Sequence, residues 1–378
     1  MLVCSALVLI MTPGLSFFYG GMVQKKNVIS TMFQSYISMA LMTVLWVVVG
    51  FSLSFGDSYH GIVGDPTTHA MLRGIEGRAW PLAPTVPLML FAFFQLKFAI
   101  ITPALITGAF AERIKFRSYL IFITLFSLFI YCPLAHMTWH PEGLLYRMGV
   151  LDFAGGTVVH MSAGVAALAC AMHLKGRREP VHNPSRITYV MLGTGLLWFG
   201  WIGFNGGSAF GANETAVLAS LTTTLASATA MLAWLAVDAL AGKKPSALNA
   251  CVGAVVGLVA ITPAAGLVTP VESLAVGLVS ALVSNMAIRW RSSKSSLDDT
   301  LDVFPSHGVG GMVGMLMTGV LADQGSFLVQ LGAMVGVTAY VYLMTHLLLR
   351  ASDWVSPLRV DESDEALGLD LTQHGEKL

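Results

Sequence analysis

Eleven apolar runs, most of them about 18 to 25 residues long, follow one another along this 378-residue chain. Each is long enough to cross a bilayer core as a helix. They lie at about 1–18, 31–55, 86–110, 117–135, 153–174, 187–208, 216–238, 247–262, 270–290, 302–320 and 327–350. The eighth is short and abuts Pro263, so its limits are soft. Only 11% of the residues are charged, against roughly 25% in a soluble domain, while 55% are hydrophobic. A water-soluble globule has no interior large enough for that apolar surface, so lipid must act as part of the solvent. The expected fold is an all-α polytopic membrane protein with eleven transmembrane helices, lying in the bilayer of a cell membrane. The first run opens at Met1 with neither a polar leader nor a cleavage site, and reads as a span rather than a signal peptide.

Orientation follows from lysine and arginine. The odd-numbered connections carry Lys25, Lys26, Arg113, Lys115, Arg117, Lys175, Arg177, Arg178, Arg186, Lys243, Lys244, Arg289, Arg291 and Lys294. With Arg350, Arg359 and Lys377 after the last run, that side holds 17 basic residues, against three (Arg73, Arg78, Arg147) opposite. The basic side is cytoplasmic, which places the amino terminus outside and the carboxyl terminus inside. A transmembrane domain, 1–350, is followed by a polar cytoplasmic tail, 351–378, acidic at 361–365 and expected to be partly disordered until it meets something. Net charge is zero, which argues against a nucleic-acid partner. The four cysteines lie in apolar stretches without metal-type spacing and read as small buried hydrophobes.

Two short matches suggest an internal repeat. GLSFFYGG (14–21) and GWIGFNGG (200–207) share glycines and place Phe18 and Phe204 alike. DFAGGTVVHMSAG (152–164) and DVFPSHGVGG (302–311) each put an aspartate a few residues before a histidine. The pairs fall on spans one and six, and five and ten. An offset of five reverses direction across the membrane, so the halves, about 1–174 and 187–320, form a five-plus-five inverted repeat with 327–350 outside it.

Within those runs ionisable residues are few, and each is a candidate for function. His160 lies about eight residues, roughly 12 Å, from the outer end of span five, and His307 about five residues into span ten. Taken singly, each reads as a buried histidine hydrogen-bonded inside a bundle. The repeat, however, brings the two together on a central axis, where paired imidazoles can pass a proton. His136, His140, His173, His182 and His346 fall near span ends and read as interfacial. Glycine pairs pack the helices closely and leave room for a narrow pore, which Phe98 and Phe204 could block. Trp139 follows span four on the outer side, as an interfacial anchor or a cation site. Asp152, at the outer start of span five, is an N-cap, a framework carboxylate or a cation attractor. Asp298, Asp299 and Asp302 read as caps and vestibule charges. No metal-ligand spacing and no nucleophile constellation is present, so neither a cofactor nor an enzyme activity is expected.

At this point the sequence resembles the ammonium transporter (Amt/Mep/Rh) family, nearer its Amt branch. The resemblance runs nearly end to end, through MTPGLSFFYGGMVQKKN (11–27), FAIITPALITGAFAERIKF (98–116), DFAGGTVVHMSAG, GWIGFNGGSAF (200–210), LDVFPSHGVGGMVG (301–314) and GLDLTQHGE (368–376). It implies ammonium uptake by a homotrimer with one pore per subunit. Trp139, Phe98 and Ser208 would bind the cation, Phe98 and Phe204 would gate the pore, His160 and His307 would be a twin-histidine proton relay, and Asp152 would support recruitment without touching the ion. The implied substrates are ammonium or ammonia, with methylammonium as an analogue, and a PII-type signal protein is the implied cytoplasmic partner. An ammonium sensor with little conduction, or an electroneutral ammonia channel, is the alternative within the same resemblance. Lys97 departs from the family pattern. It either faces away from the pore, by snorkelling, pairing or meeting another subunit, or repels cations beside Phe98.

Overall fold

A computed structural model describes residues 1–180 and 183–378. His182, expected near a span end, lies outside the described residues. Among the described residues nine helices are long and apolar enough to cross a membrane: Leu2–Met22, Lys25–Phe55, Leu88–Phe110, Phe116–Arg147, Gly156–Leu174, Ile187–Gly207, Glu214–Leu240, Pro270–Lys294 and Phe327–Val355. Ala247–Ile261 is the short eighth span, and span ten is built from Phe304–Val309 and Gly310–Leu321. The eleven apolar runs thus become eleven helical spans in the expected order, and the fold is all-α and multi-pass. Two small antiparallel hairpins, Ser58–Tyr59 with Val63–Gly64 and Ala79–Trp80 with Ala83–Pro87, fill the long connection between spans two and three.

The repeat motifs meet in space. Span one lies against span six so closely that a Cβ on Gly193 would stand 2.3 Å from the backbone nitrogen of Phe18, and one on Gly14 would stand 2.9 Å from Leu196 Cβ. A side chain at either position would force the two helices apart. Span five meets the start of span ten in the same way. A Cβ on Gly164 would lie 2.0 Å from the nitrogen of Gly308.

Both histidines sit in π-helical turns, Gly156–Met161 and Phe304–Val309. Such turns widen the helix locally and recur at functional sites. Span five consequently begins later than its apolar run, and His160 stands in its opening turn rather than eight residues in. The residues before Gly156 are not helical, because Asp152 uses its carboxylate to cap them. Its oxygens accept from the backbone N–H groups of Gly155, Gly156 and Thr157 and from the Thr157 hydroxyl. Span ten repeats the device with Asp299, which accepts from Val303 N (3.1 Å) and Phe304 N (2.7 Å). Asp299 precedes His307 by eight residues, as Asp152 precedes His160. The repeat register therefore pairs Asp152 with Asp299 and not, as the motif match suggested, with Asp302.

The tail corrects a second expectation. Instead of being disordered it forms two short helices, Glu362–Leu367 and Leu369–His374, strapped across the cytoplasmic loops of its own chain. Asp370 accepts from the N–H groups of Ile29 (3.0 Å) and Ser30 (2.8 Å), and so caps the inner end of span two. Glu365 takes a hydrogen bond from Arg178 N (2.6 Å) and an ion pair from Arg359 (2.7 Å). An isolated bridge between Ile114 and Arg359 completes the strap. Asp361 lies 3.8 Å from Lys115 and Glu362 3.5 Å from Arg178, so three of the four acids in 361–365 have a cation beside them.

Candidate functional site

The site is a column of rings. Phe98, on span three, stacks on Phe204, on span six, with centroids 4.1 Å apart and planes 30° from parallel. Trp139 meets Phe98 edge-on at 5.9 Å. It closes the segment Cys132–Trp139 of span four rather than lying beyond the span. Beyond Phe204 come His160 at 6.1 Å and then His307, whose Nδ1 lies 3.4 Å from Nδ1 of His160. One of these two nitrogens must carry the shared proton, since two bare lone pairs would repel. His160 Nε2 has no hydrogen-bond partner within the chain. The five rings are contributed by spans three, four, five, six and ten, and all but Trp139 are buried.

Toward the outside the column opens into a recess of about 210 Å³ bordered by Phe98, Trp139, Asp152 and Ser208. Ser208 caps span six, and its hydroxyl donates to the carbonyl of Phe204 at 2.8 Å. Its proton thus committed, the oxygen offers lone pairs to a donor in the recess. Trp139 is fixed by its indole N–H, which donates to the backbone carbonyl of Asp152 at 3.0 Å. The Asp152 carboxylate, by contrast, is fully engaged with the start of span five and turned to backbone. Of the readings left open for it, the helix cap is the one its contacts describe.

Several residues of the site carried no separate signal in the sequence. Trp201 stacks on His160 with centroids 5.2 Å apart and planes within 19°, and its N–H donates to Thr262 Oγ1 at 2.9 Å. Its position three residues before Phe204 on one helix face was the available clue. Gln95 and Thr138 also border the recess, and the amide oxygen of the one and the hydroxyl of the other have no partner within the chain. Trp80, from the second hairpin, stacks on Phe91 at 5.2 Å and helps to wall the recess.

Other sequence candidates are placed elsewhere. Lys97 turns away from the column. It is buried, and its ammonium lies 3.6 Å over the ring of Phe93, four residues earlier on the same helix. His136 and His140 stack on each other at 4.4 Å near the outer hairpins, and His173 faces His346 at 6.3 Å. Asp298 belongs to a buried cytoplasmic ion-pair cluster. It binds Arg177 Nε at 2.9 Å, and Arg177 in turn binds Glu112 at 2.6 Å. Burial alone would raise the Asp298 carboxyl, but the hydrogen bond and charge of Arg177, with Arg113, hold it below its ordinary value. Asp302 pairs with Arg291 at 2.6 Å and borders a cytoplasmic-side cavity of about 330 Å³. All four cysteines are free, and among the described residues no group of three or more His, Cys, Asp or Glu side chains is arranged for a metal.

Comparison with known proteins joins this geometry to a family. Residues 1–378 match the model of the Ammonium Transporter Family. An ammonium transporter of Aquifex aeolicus is 42% identical, over 100% of this chain and 92% of that protein. The crystal structure of Candida albicans Mep2 superposes with a TM-score of 0.90 at 35% identity, covering 96% of this chain and 85% of that one. A structure described as a sensor Amt protein superposes with a TM-score of 0.91 at 28% identity, covering 98% and 96%. The chain therefore belongs to the Ammonium Transporter Family, whose members are multi-pass membrane transporters and not enzymes.

Proposed function

We propose that this chain carries ammonium into the cell by separating it, at the aromatic recess, into ammonia and a proton that travel apart and rejoin. Ammonium and potassium are similar in size and charge, so attraction alone cannot select between them. The recess instead tests for N–H donors. The faces of Trp139 and Phe98 attract a cation, and the oxygens of Ser208, Gln95 and Thr138 accept its hydrogen bonds. Asp152 supports the recess by holding Trp139 and the start of span five, without touching the ion.

Taking an intact cation past the stacked rings of Phe98 and Phe204 would strip its hydration with nothing to replace it, whereas neutral ammonia crosses cheaply. The ammonium N–H bond breaks at the gate. Ammonia slips between the rings, and the proton passes along His160 and His307. One charge moves for each ammonium taken up, so transport is electrogenic. The contact between the two imidazoles directly behind the gate is the observation that carries this reading. The same reading includes a homotrimer with one pore per subunit, each subunit built of halves 1–174 and 187–320 with the eleventh span outside them, and a PII-type signal protein. In this reading the cytoplasmic-side cavity beside Asp302, Asp238 and Arg289 is the pore's inner mouth, into which a loop of that regulator would fit.

The test is current across liposomes that hold the purified protein. Pulses of ammonium should give a saturable current that potassium and sodium do not, and His160→Ala should abolish it. An undiminished ammonium current in His160→Ala would sink the relay. The likeness to a sensor Amt protein gives weight to a second reading as a sensor. Its signature in the same experiment is ammonium binding without current, and an electroneutral ammonia channel would instead shift internal pH without current.

A further inference from the structure

Spans five and eleven pack side by side, and four side chains that the transport path does not use meet at their inner ends. Met172 and His173 lie in the last turn of Ser162–Leu174, while Tyr342 and His346 stand one turn apart on Phe327–Val355. The rings of His173 and His346 are 6.3 Å apart, centre to centre. Tyr342 meets the His346 ring edge-on at 4.6 Å, and its hydroxyl donates to Met172 Sδ at 3.5 Å. The sulfur is thereby held beside span eleven, next to the ring that touches His346. Met172 is 49% exposed and both histidines are half-buried, so an ion has a way in.

Neither imidazole has a hydrogen-bond partner among the described residues, unlike those of His136, His140, His160, His307 and His374. Each, when neutral, therefore keeps a bare lone pair. Two metal–imidazole bonds of about 2.0–2.1 Å, added to the distance from each ring's centre to its nitrogens, come to about the 6.3 Å observed. The edge of Tyr342 restrains the His346 ring, a task that an outer hydrogen bond performs at most metal-bound histidines. The donor set then selects the ion. Among the described residues no carboxylate or thiolate joins the two histidines, and the charges nearest to them in the chain are basic, Lys175 and Arg350. Hard divalent ions want oxygen ligands and negative charge, and neither is here, whereas two imidazoles and a thioether suit a soft monovalent ion.

We propose that Met172, His173 and His346 bind one soft monovalent metal ion, Cu(I) or its congener Ag(I). The two imidazoles supply the short bonds, one from each helix, and the thioether approaches from the side of Tyr342. The ion joins span eleven, which lies outside the five-plus-five repeat, to span five within it.

The test titrates purified full-length protein with Ag(I), with Cu(I) buffered by a competing chelator in the absence of oxygen, and with Zn(II). Binding is read by native mass spectrometry and by the rise in melting temperature, since an ion that binds only the folded state stabilises it. One Ag(I) or Cu(I) per chain should bind at least tenfold more tightly than Zn(II). His173→Ala and His346→Ala should each weaken that ion at least tenfold, and Met172→Leu should narrow its margin over Zn(II). Cys4→Ser, at the opposite membrane face, should change nothing. The metal-free melting temperature of each variant reports its folding, and His173→Gln repeats the loss with a polar side chain in place. Zn(II) bound as tightly as Ag(I), undiminished binding in either histidine variant, an unchanged margin in Met172→Leu, or loss of the ion in Cys4→Ser would overturn the proposal.

Discussion

Lys97 occupies the position before the gate ring Phe98, yet one residue along a helix turns a side chain by about 100°. Its stem follows the helix back to Phe93, and the ammonium rests on that ring instead of facing the recess. The charge is therefore held on a ring of its own helix that is no part of the column. Replacing it by methionine, Lys97→Met, keeps the stem and removes the charge. The ammonium current should stay within about twofold of the parent, and a rise of tenfold or more would mean that Lys97 repels cations from the recess after all. At this scale the sequence was readable where chemistry is scarce. Two histidines inside apolar runs, related by a repeat, stood out because burying an ionisable group demands a reason. Trp201, Gln95 and Thr138 did not stand out, because a tryptophan or a neutral polar residue in a span has many uses and only contact distinguishes them.

Helical elements explain why the histidines touch. Span five and span ten approach until Gly164 and Gly308 leave no space for a methyl group between their backbones. Gly164→Ala must push the helices apart, and His160 lies one turn away. Overpacking of this kind costs about 1–3 kcal/mol where side chains can yield, and more where, as here, the neighbour is backbone. The expected result is a lower melting temperature together with loss of most ammonium current. Wild-type stability and current in Gly164→Ala would show that the close approach is dispensable. The spans themselves were legible from apolar length alone, since bilayer thickness sets it. The π-helical turns were not, because one i→i+5 turn inside an apolar run changes neither its composition nor its hydrophobic length. The late start of span five was hidden for a related reason. Asp152 and the residues after it are as apolar in aggregate as a helix, but the carboxylate holds their N–H groups in a cap.

For the molecule as a whole, the cytoplasmic face is held by charge where the membrane region is held by packing. Glu112, Arg177 and Asp298 join the connections after spans three, five and nine. Asp298 titrates below its ordinary 3.8 in the folded protein, so its pairing contributes fully above that value and is lost as pH falls through the lowered one. The melting temperature should accordingly hold steady from pH 8 to 5 and drop below about pH 4. Arg177→Met, which strands two buried carboxylates, should cost about 3–5 kcal/mol at pH 7. It should also reduce the acid-dependent drop, because the carboxylates it leaves no longer gain from being ionised. An unaltered acid profile in that variant would remove the cluster from the account of stability. Topology at this scale was legible from lysine and arginine counts, whereas the ordered tail was not. Composition marked 351–378 as polar, but its order depends on donors and cations displayed by loops far away in sequence.

That tail has a bearing on the order of synthesis. The N–H groups of Ile29 and Ser30 are closed by a carboxylate that leaves the ribosome some 340 residues later. Throughout translation and insertion the inner end of span two must rely on water for those bonds. Only when Asp370 arrives is the second helix to be made finished by nearly the last, so a nascent chain interrupted before that residue would carry a visible mark of incompleteness on its cytoplasmic surface.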